Sequence, residues 1–252
     1  MIYDYFLFFN ELDILDIRLH ELDPVVDYFV LVESTHTFSG VPKPLIFDAN
    51  RHKFQKFANK ILYLRVGYAN SPHPFENEAQ QRDAAALLLT QIGDQDIVMI
   101  SDVDEIPKAS IVKEAAQTSL SQNASVTIQQ SLSFYYLNNL CTSHPVWPGT
   151  TLAPKRIFQT AQILRNGRLE HIQIQNGGWH FSYCGDIAAK IAAFSHQELN
   201  RPEILSKIPD AIANNRSFFD TREFEPQPLS FCPDYVQQNS EKFQALITRR
   251  IQ

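Results

Sequence analysis

Residues 96–107 read DIVMISDVDEIP, an apolar run that leads directly into three acidic residues. The run of consecutive apolar residues predicts a buried strand that ends near Ser101. Ligands of open α/β sheets bind outside the carboxyl ends of the strands, so Asp102, Asp104 and Glu105 would lie where a ligand binds. Carboxylates at positions i and i+2 of a turn can converge on one divalent cation, which can bridge the oxygens of a diphosphate.

A structural role for the same three acids is also open. Asp and Glu are favoured at helix N-termini, and Pro107 suits the first turn of a helix. In that case the acids would cap a helix that starts near Pro107. A cation at the turn and a helix cap are therefore both compatible with this stretch alone.

The residues upstream of the acidic strand predict a parallel sheet. Residues 3–9 and 28–32 form short aromatic or β-branched runs typical of buried strands. Between them, leucines at helical spacing predict an amphipathic helix over residues 11–22, for which Asn10 could be the N-cap. Strand, helix and strand make a βαβ unit. A third strand over residues 61–66 and a helix over 76–91 then precede the acidic strand.

The second half of the chain has weaker patterns. Strands are predicted over residues 125–129, 133–137, 155–158 and 171–174, with a loop over 141–154 and a helix from Asp186 to Phe194. Residues 177–181 read GGWHF and suggest a turn that enters a strand. No repeat or change in composition marks a boundary, so residues 1–252 are predicted to form a single domain.

Charge and composition exclude several classes of function. The net charge is −6 and the pI is about 5.7, so the chain has no general attraction for nucleic acid or anionic lipid. An anionic substrate would need a local cation. No apolar run is long enough to span a bilayer, although peripheral membrane contact stays open. Three widely spaced cysteines and a poor signal peptide favour the cytoplasm. A position at the inner face of the membrane also stays open.

Several segments together resemble glycosyltransferase family 17, which includes the β-1,4-mannosyl-glycoprotein β-1,4-N-acetylglucosaminyltransferases. The similar segments run in order over most of the chain and are 9–13, 27–34, 37–40, 43–44, 82–83, 101–107 and 178–180. The resemblance implies a GT-A-type (Rossmann-like) α/β fold with a mostly parallel central sheet flanked by helices. It also implies a nucleotide-binding half over residues 1–107 and an acceptor-side half with C-terminal helices over 108–252.

The same resemblance implies an inverting, metal-dependent glycosyltransferase. The donor would be a UDP-sugar, with N-acetylglucosamine as the expected sugar, and the cofactor a divalent cation, Mn²⁺ or Mg²⁺. Asp102 and Asp104 would bind the cation, and His180, beside two glycines that permit close backbone approach, would complete the site. The acceptor would be a glycan or lipid-linked saccharide.

Further residues are candidates for binding the donor. By similarity to GT-A enzymes, Glu33 and Asn10 would contact the nucleotide at the ends of the first two strands, and Arg82 offers a planar fork of donors that suits phosphate. Arg165 could neutralise the diphosphate. Alternatives are an N-cap for Asn10, a surface acid for Glu33, and for Arg82 an i, i+4 pair with Glu78.

The acceptor side offers aromatic residues and carboxylates. Trp147 and Trp179 could stack on a sugar or could pack in the core. Inversion requires a carboxylate that takes the proton of the acceptor hydroxyl. Asp186, Glu170 and Glu198 are candidates, and Asp186 could instead be the N-cap of the helix that follows it.

Two other classes of function remain compatible with the sequence. One is a metal-dependent nucleotide-sugar phosphohydrolase or nucleotidyltransferase that uses the same acidic turn. The other is a non-catalytic glycan-binding protein. Asp104 is expected to be a surface carboxylate, so Asp104→Ala should abolish turnover and leave the fold largely intact.

Overall fold

The computed structural model describes residues 1–67, 71–84, 86 and 90–248. Within these ranges eleven strands form one sheet. The strands and helices follow in the order β1 (Ile2–Phe8), α1 (Leu12–Leu22), β2 (Tyr28–Ser34), α2 (Ile46–Asn50), β3 (Ile61–Val66), α3 (Pro74–Asp83), β4 (Ile97–Asp102), β5 (Glu105–Pro107), α4 (Ala109–Gln122), β6 (Val126–Phe134), β7 (Asn139–Cys141), β8 (Val146–Pro154), α5 (Ala161–Asn166), β9 (Ile172–Ile174), β10 (Gly178–Ser182), α6 (Ile187–Ala193), α7 (Pro202–Leu205), α8 (Ile208–Ala213), β11 (Phe224–Pro226) and α9 (Asp234–Gln238).

The first half of the sheet is parallel. Its strands lie in the order β3-β2-β1-β4, and each neighbouring pair is parallel. Successive side chains of β1 face opposite sides, so that Phe6 and Phe8 pack in one hydrophobic cluster and Tyr5 and Leu7 in another. Both faces are therefore covered, as parallel sheets require. The predicted βαβ unit and α/β fold are confirmed.

The second half extends the same sheet with mixed directions. β8 lies antiparallel between β4 and β6. β10 runs parallel to β6 and antiparallel to the short strand β5, which directly follows the acidic turn. A third cluster of buried apolar residues packs around β6, α6 and β11. The two halves proposed from the sequence thus share one sheet, while the functional division between them stays a prediction.

The loop predicted over residues 141–154 is wrong, because most of it is strand β8. Pro148 and Gly149 suggested a loop, but Pro148 pairs with Gln129 next to a register shift in β6. Proline lacks an N–H donor and is tolerated in sheets at such irregularities. The strand predicted over residues 155–158 is also wrong, since Lys155–Ile157 form a 3-10 helix.

Two helix boundaries differ from the prediction. The helix expected over 76–91 begins at Pro74 and is described to Asp83; part of the remainder, residues 85 and 87–89, lies outside the described residues. The N-cap of α1 is Glu11 rather than Asn10. The Glu11 carboxylate accepts hydrogen bonds from the backbone N–H groups of Phe9 and Asn10, which fixes the exit of β1.

Gly178 allows two backbones to approach where β10 meets β5. Its φ is +151°, and a Cβ placed there would lie 2.2 Å from the Ile106 carbonyl oxygen and 2.6 Å from the Pro107 Cα. Because both neighbours are backbone atoms, neither can move without displacing β5. This confirms the close approach predicted from the paired glycines.

We expect Gly178→Ala to lower the free energy of unfolding by roughly 3 kcal/mol, through overpacking and a left-handed backbone. Gly67→Ala is the control, since a Cβ at Gly67 meets nothing within 4 Å. Urea unfolding followed by circular dichroism measures both. Equal midpoints for the two variants would contradict the contact between β10 and β5.

Candidate active site

A cleft of about 590 Å³ opens at the carboxyl ends of β1 and β4. One wall comes from the turns after β1 and β2 and from α3, and the opposite wall from β10, α6 and the segment after α6. The acidic turn lies in the floor, with Asp102, Val103 and Asp104 all lining the cleft. The sequence therefore placed the central carboxylates at the correct edge of the sheet.

A buried arginine beneath the cleft fixes the backbone of the acidic turn. Arg18 of α1 has no exposed surface and forms a bidentate ion pair with Asp4 of β1, with N–O distances of 2.8 and 2.5 Å. Its guanidinium also donates to the carbonyl oxygens of Asp102, at 3.1 Å, and Glu105, at 2.8 Å. Carbonyls held by a fixed planar donor cannot reorient freely, so Arg18 sets the direction of the carboxylates above it.

Asp102 is held between two arginines. Its Oδ1 accepts from Arg82 at 3.0 Å, and its Oδ2 accepts from Arg165 at 2.9 Å. Burial alone would raise the pKa of Asp102, but the charges of Arg165 and Arg82 outweigh it and hold that pKa well below its usual range. Asp102 is therefore ionised, and arginines already compensate its charge.

Glu105 is fully buried and serves as a second anchor of the same network. Arg165 donates to both of its carboxylate oxygens, at 2.5 and 2.6 Å. Trp147 donates its indole N–H to Oε1 at 2.6 Å, and Glu105 in turn accepts the backbone N–H of Asp102. Bidentate arginine pairs of this kind are strong and directional. Glu105 thus stabilises the turn and does not line the cleft.

Asp104 faces the opposite wall of the cleft. Its Oδ2 accepts a hydrogen bond from Lys190 of α6 at 2.6 Å. Its Oδ1 lies 3.7 Å from His180 Nε2, which is beyond hydrogen-bonding distance. Only 4% of Asp104 is exposed, so the expected surface carboxylate is wrong: Asp104 is a buried, paired group.

The residues around Asp104 fit a divalent cation. Burial lowers the pKa of His180, so its imidazole is neutral at pH 7 and carries a lone pair, as metal ligation requires. Two ligands of one cation lie about 3–4 Å apart when each is about 2.2 Å from it, which the 3.7 Å gap to Asp104 matches. No group of three or more His, Cys, Asp or Glu side chains that could hold a metal occurs among the described residues. Mg²⁺-type ions often use only one or two protein ligands beside substrate phosphates and water.

The structure does not bring Glu33 and Asn10 to the cleft as the sequence suggested. Glu33 is fully buried, and its oxygens accept from the backbone N–H of Ile46 at 2.5 Å and from the Tyr63 hydroxyl at 2.9 Å. A carboxylate with its oxygens so engaged stabilises the start of α2 rather than presenting an acceptor to a nucleotide. Glu33 also pairs with Lys43, which does line the cleft. Asn10 is exposed and lies outside the lining.

Arg82 and Arg165 line the cleft as predicted, but their donors are largely used within the protein. Arg82 donates to Glu78 at 2.6 Å and to Gln162 at 2.6 Å, in addition to Asp102. Arg165 also donates to the Gly149 carbonyl. Both arginines therefore position the acidic turn, and their direct contact with a nucleotide stays a prediction.

The two tryptophans have different positions. Trp147 lines the cleft, and its ring lies 4.7 Å from that of His180. Trp179 does not: it belongs to the largest hydrophobic cluster and donates its indole N–H to the Phe231 carbonyl at 2.7 Å. Of the two alternatives for Trp179, the structure favours core packing, because β10 turns this side chain toward the core while its neighbour His180 faces the cleft.

Two of the three candidate bases lie away from the cleft. Asp186 is the N-cap of α6, where it accepts the backbone N–H of Ala189 at 3.0 Å, and Glu170 is exposed after α5. Neither residue lines the cleft, and Asp186 has the N-cap role that was its alternative. Glu198 does line it, and it accepts a hydrogen bond from His196 at 2.6 Å.

Three cations near the turn were missed in the sequence. Asp4, a charged residue inside an apolar strand, is a signal that a buried partner exists, and that partner is Arg18. Lys190 occupies a helix position with no distinguishing motif. Arg168 lines the cleft with a buried Nε that has no hydrogen-bond partner, and within the described ranges no carboxylate lies within 4.0 Å of its guanidinium.

The comparison of the sequence with known families identifies the chain's family. The sequence model of glycosyltransferase family 17 matches residues 1–247. The chain belongs to glycosyltransferase family 17. In this family member, all of the predicted motif segments except residues 27–34 contribute residues to the lining of one cleft.

The β-1,4-mannosyl-glycoprotein 4-β-N-acetylglucosaminyltransferases of Homo sapiens and Rattus norvegicus are similar to this family 17 chain. Each is 35% identical to it over 108 residues, which are 39% of the chain and 20% of the relative. The matched region thus spans about a fifth of the length of these relatives.

Solved structures similar to this family member are more distant. Glucosyl-3-phosphoglycerate synthase of Mycobacterium tuberculosis is 14% identical, with a TM-score of 0.41 that covers 91% of this chain and 88% of that one. A 4-diphosphocytidyl-2C-methyl-D-erythritol synthase of Anaerococcus prevotii is 11% identical, with a TM-score of 0.42 and coverages of 80% and 96%. At such TM-scores neither structure bears on the position of the site.

Proposed function

We propose that the chain is an inverting glycosyltransferase that moves N-acetylglucosamine from UDP-N-acetylglucosamine to a hydroxyl of a glycan or lipid-linked saccharide. The observation that carries the proposal is the cleft itself. It lies outside the carboxyl ends of β1 and β4, and the floor holds an acidic turn fixed from below by Arg18. Membership of family 17 and the named relatives support the reaction and the sugar.

A divalent cation, Mn²⁺ or Mg²⁺, is part of the proposal. Asp104 Oδ1 and His180 Nε2 would hold it, and it would neutralise charge on the diphosphate when bound. Asp102 supports this site from one side, since Arg82 and Arg165 keep its carboxylate ionised and fixed. The cleft wall with Trp147 and Arg168 is proposed for the acceptor sugar.

Among the carboxylates that line the cleft, Glu198 suits the role of general base. Glu78 already accepts from Arg82 at 2.6 Å and from Ser195 at 2.5 Å. Glu11 accepts two backbone N–H groups, and Asp102 and Asp104 are paired with cations. Glu198 accepts a hydrogen bond from His196, and its side chain is more than half exposed, so it retains capacity to accept a proton.

The compartment is proposed to be the cytoplasm. All three cysteines are buried free thiols, which fits a reducing environment. Within the described residues, no helix combines the length and apolar character needed to cross a membrane.

A donor screen tests the proposed reaction. Purified protein is incubated with Mn²⁺, a panel of nucleotide sugars and a panel of glycan acceptors, and products are identified by mass spectrometry. We expect sugar transfer from UDP-N-acetylglucosamine. Release of phosphate or UMP without transfer to any acceptor would instead indicate a phosphohydrolase, and metal-independent glycan binding without turnover would indicate a lectin.

Replacement of the base should slow the chemical step selectively. We expect Glu198→Gln to lower kcat by about 10²-fold with little change in the KM for the donor, because proton transfer to a positioned carboxylate contributes at least that much. Glu170→Gln, an exposed glutamate outside the cleft, is the matched control. An unchanged kcat for Glu198→Gln would assign proton transfer to another group.

A further inference from the structure

Lys190 is a buried ammonium group in the wall of the cleft. It lies in the last turn of α6, a helix whose start is capped by Asp186. About 7% of its side chain is exposed, and it lines the cleft. Nζ lies 2.6 Å from Asp104 Oδ2 and 3.7 Å from Glu11 Oε1.

The charge of Lys190 is stable in this position. Burial by itself lowers the pKa of a lysine, because the charged form loses solvation. Here two carboxylates compensate the buried ammonium group, Asp104 Oδ2 at 2.6 Å and Glu11 Oε1 at 3.7 Å from Nζ. A buried cation paired in this way is fixed in place by its partners.

Lys190 has N–H donors that its hydrogen bond to Asp104 does not use. An ammonium group has three N–H donors, and Asp104 accepts one. Glu11 lies too far away for a hydrogen bond, and the centroid of the Phe194 ring is 4.9 Å from Nζ. Arg82 and Arg165, by contrast, each donate to two carboxylates.

The chemistry of sugar transfer requires a cation where the leaving group departs. A bond forms between the acceptor oxygen and the anomeric carbon, the acceptor proton passes to the base, and the bond from that carbon to the β-phosphate oxygen breaks. The electron pair of the broken bond stays on the diphosphate, so the negative charge there increases. A fixed cation directed at such developing charge lowers the barrier.

We propose that Lys190 is a catalytic residue that donates a hydrogen bond to the β-phosphate of the donor, while Asp104 holds its ammonium group in place. This assignment rests on the proposed function. It makes Asp104 a residue with two roles: Oδ2 positions Lys190, and Oδ1 faces the gap to His180. It also explains Asp186, whose carboxylate starts the helix that carries Lys190 to the cleft.

Nucleotide binding to Lys190→Met tests the assignment. Calorimetry with Mn²⁺ present compares uridine, UMP and UDP as ligands. We expect the variant to bind UDP roughly 10- to 100-fold more weakly than the wild type, because a hydrogen bond to a charged group is lost. UMP should be affected much less, and uridine should bind as before.

Lys242→Met is the matched control. Lys242 forms an ion pair with Asp16 at the same distance, 2.6 Å, but does not line the cleft. Its three affinities should equal those of the wild type. Lys190→Gln, whose amide can still donate to Asp104, is the second variant should Lys190→Met fail to fold, and it should show the same selective loss for UDP.

The outcomes separate the two proposals. If the wild type binds no UDP, the proposed donor is wrong, and the role of Lys190 is wrong with it. If the wild type binds UDP but the variants lose uridine, UMP and UDP to the same extent, or lose none of them, the role of Lys190 alone is overturned.

Discussion

Asp104→Asn is expected to lower kcat/KM by about 10³-fold, on the order of 4 kcal/mol of transition-state stabilisation. The amide removes the negative charge that faces both His180 and Lys190, so the cation site and the lysine lose their shared partner. The amide oxygen can still accept from Lys190, whose hydrogen bond to Asp104 is 2.6 Å long in the native protein. The fold should therefore be retained, which thermal unfolding checks.

Asp104→Ala is expected to be a poorer test because it also costs stability. Truncation would leave the buried ammonium of Lys190 with Glu11, at 3.7 Å, as its one carboxylate within 4.0 Å in the described part of the chain. An uncompensated buried charge costs about 3–5 kcal/mol. A loss of activity in Asp104→Ala would then have two causes, the missing carboxylate and partial unfolding.

Asp186→Asn is the matched control for the replacement of an aspartate by asparagine outside the cleft lining. Asp186 caps α6 through its side-chain oxygen, and asparagine is an equally good N-cap. Its kcat/KM should stay within about twofold of the wild type. Equal activity losses in Asp104→Asn and Asp186→Asn would contradict the special position of Asp104.

Arg18→Met is expected to lower the free energy of unfolding by about 3–5 kcal/mol. The substitution leaves the charge of Asp4 buried with no counter-ion, and Asp4 has no exposed surface. It also removes the donor to the Asp102 and Glu105 carbonyls. Chemical denaturation with a two-state fit measures the change.

The double variant Asp4→Leu/Arg18→Met separates the two functions of the buried pair. Apolar replacement of a whole buried ion pair is often neutral, so much of the lost stability should return. Activity should stay low, because the carbonyls of the acidic turn still lack their donor. Recovery of full activity in the double variant would show that Arg18 does not position the turn.

Arg216→Met is the control for losing an arginine–aspartate pair. Arg216 pairs with Asp210, and more than half of each side chain is exposed. Exposed pairs contribute about 0–1 kcal/mol. A loss for Arg216→Met as large as that for Arg18→Met would contradict the importance of burial.

The fold was predictable where local patterns and burial agree. β1, α1, β2, β3 and β4 each carry an apolar pattern that matches the period of the element they form. The βαβ order then dictates parallel pairing. β8 was missed because Pro148 and Gly149 are local breakers, and their tolerance depends on a register shift in a neighbouring strand.

The position of the site was predictable, but its charge pairing was not. The acidic turn follows from the end of β4, and a histidine beside two glycines pointed to the opposite wall. The i, i+4 pair of Glu78 with Arg82 was among the alternatives, but other pairs join residues 60 to 90 positions apart. Arg165 and Asp102 are 63 positions apart in the sequence, and Lys190 and Asp104 are 86 positions apart. No local spacing encodes such contacts.

The roles of Trp147 and Trp179 illustrate the same difference. Both are tryptophans next to glycine or proline, and sequence patterns do not distinguish them. In the structure Trp147 faces the cleft and bonds Glu105, while Trp179 bonds the Phe231 carbonyl inside the core. The difference arises from the face of the sheet onto which each strand directs its side chain.

A crystal structure with UDP and Mn²⁺ is the most direct test of an activated sugar bound at the end of β4. We expect the cation about 2.2 Å from Asp104 Oδ1 and His180 Nε2, and a β-phosphate oxygen within about 3.2 Å of Lys190 Nζ. A nucleotide bound elsewhere, with no electron density for a cation or a phosphate in the cleft, would contradict the account.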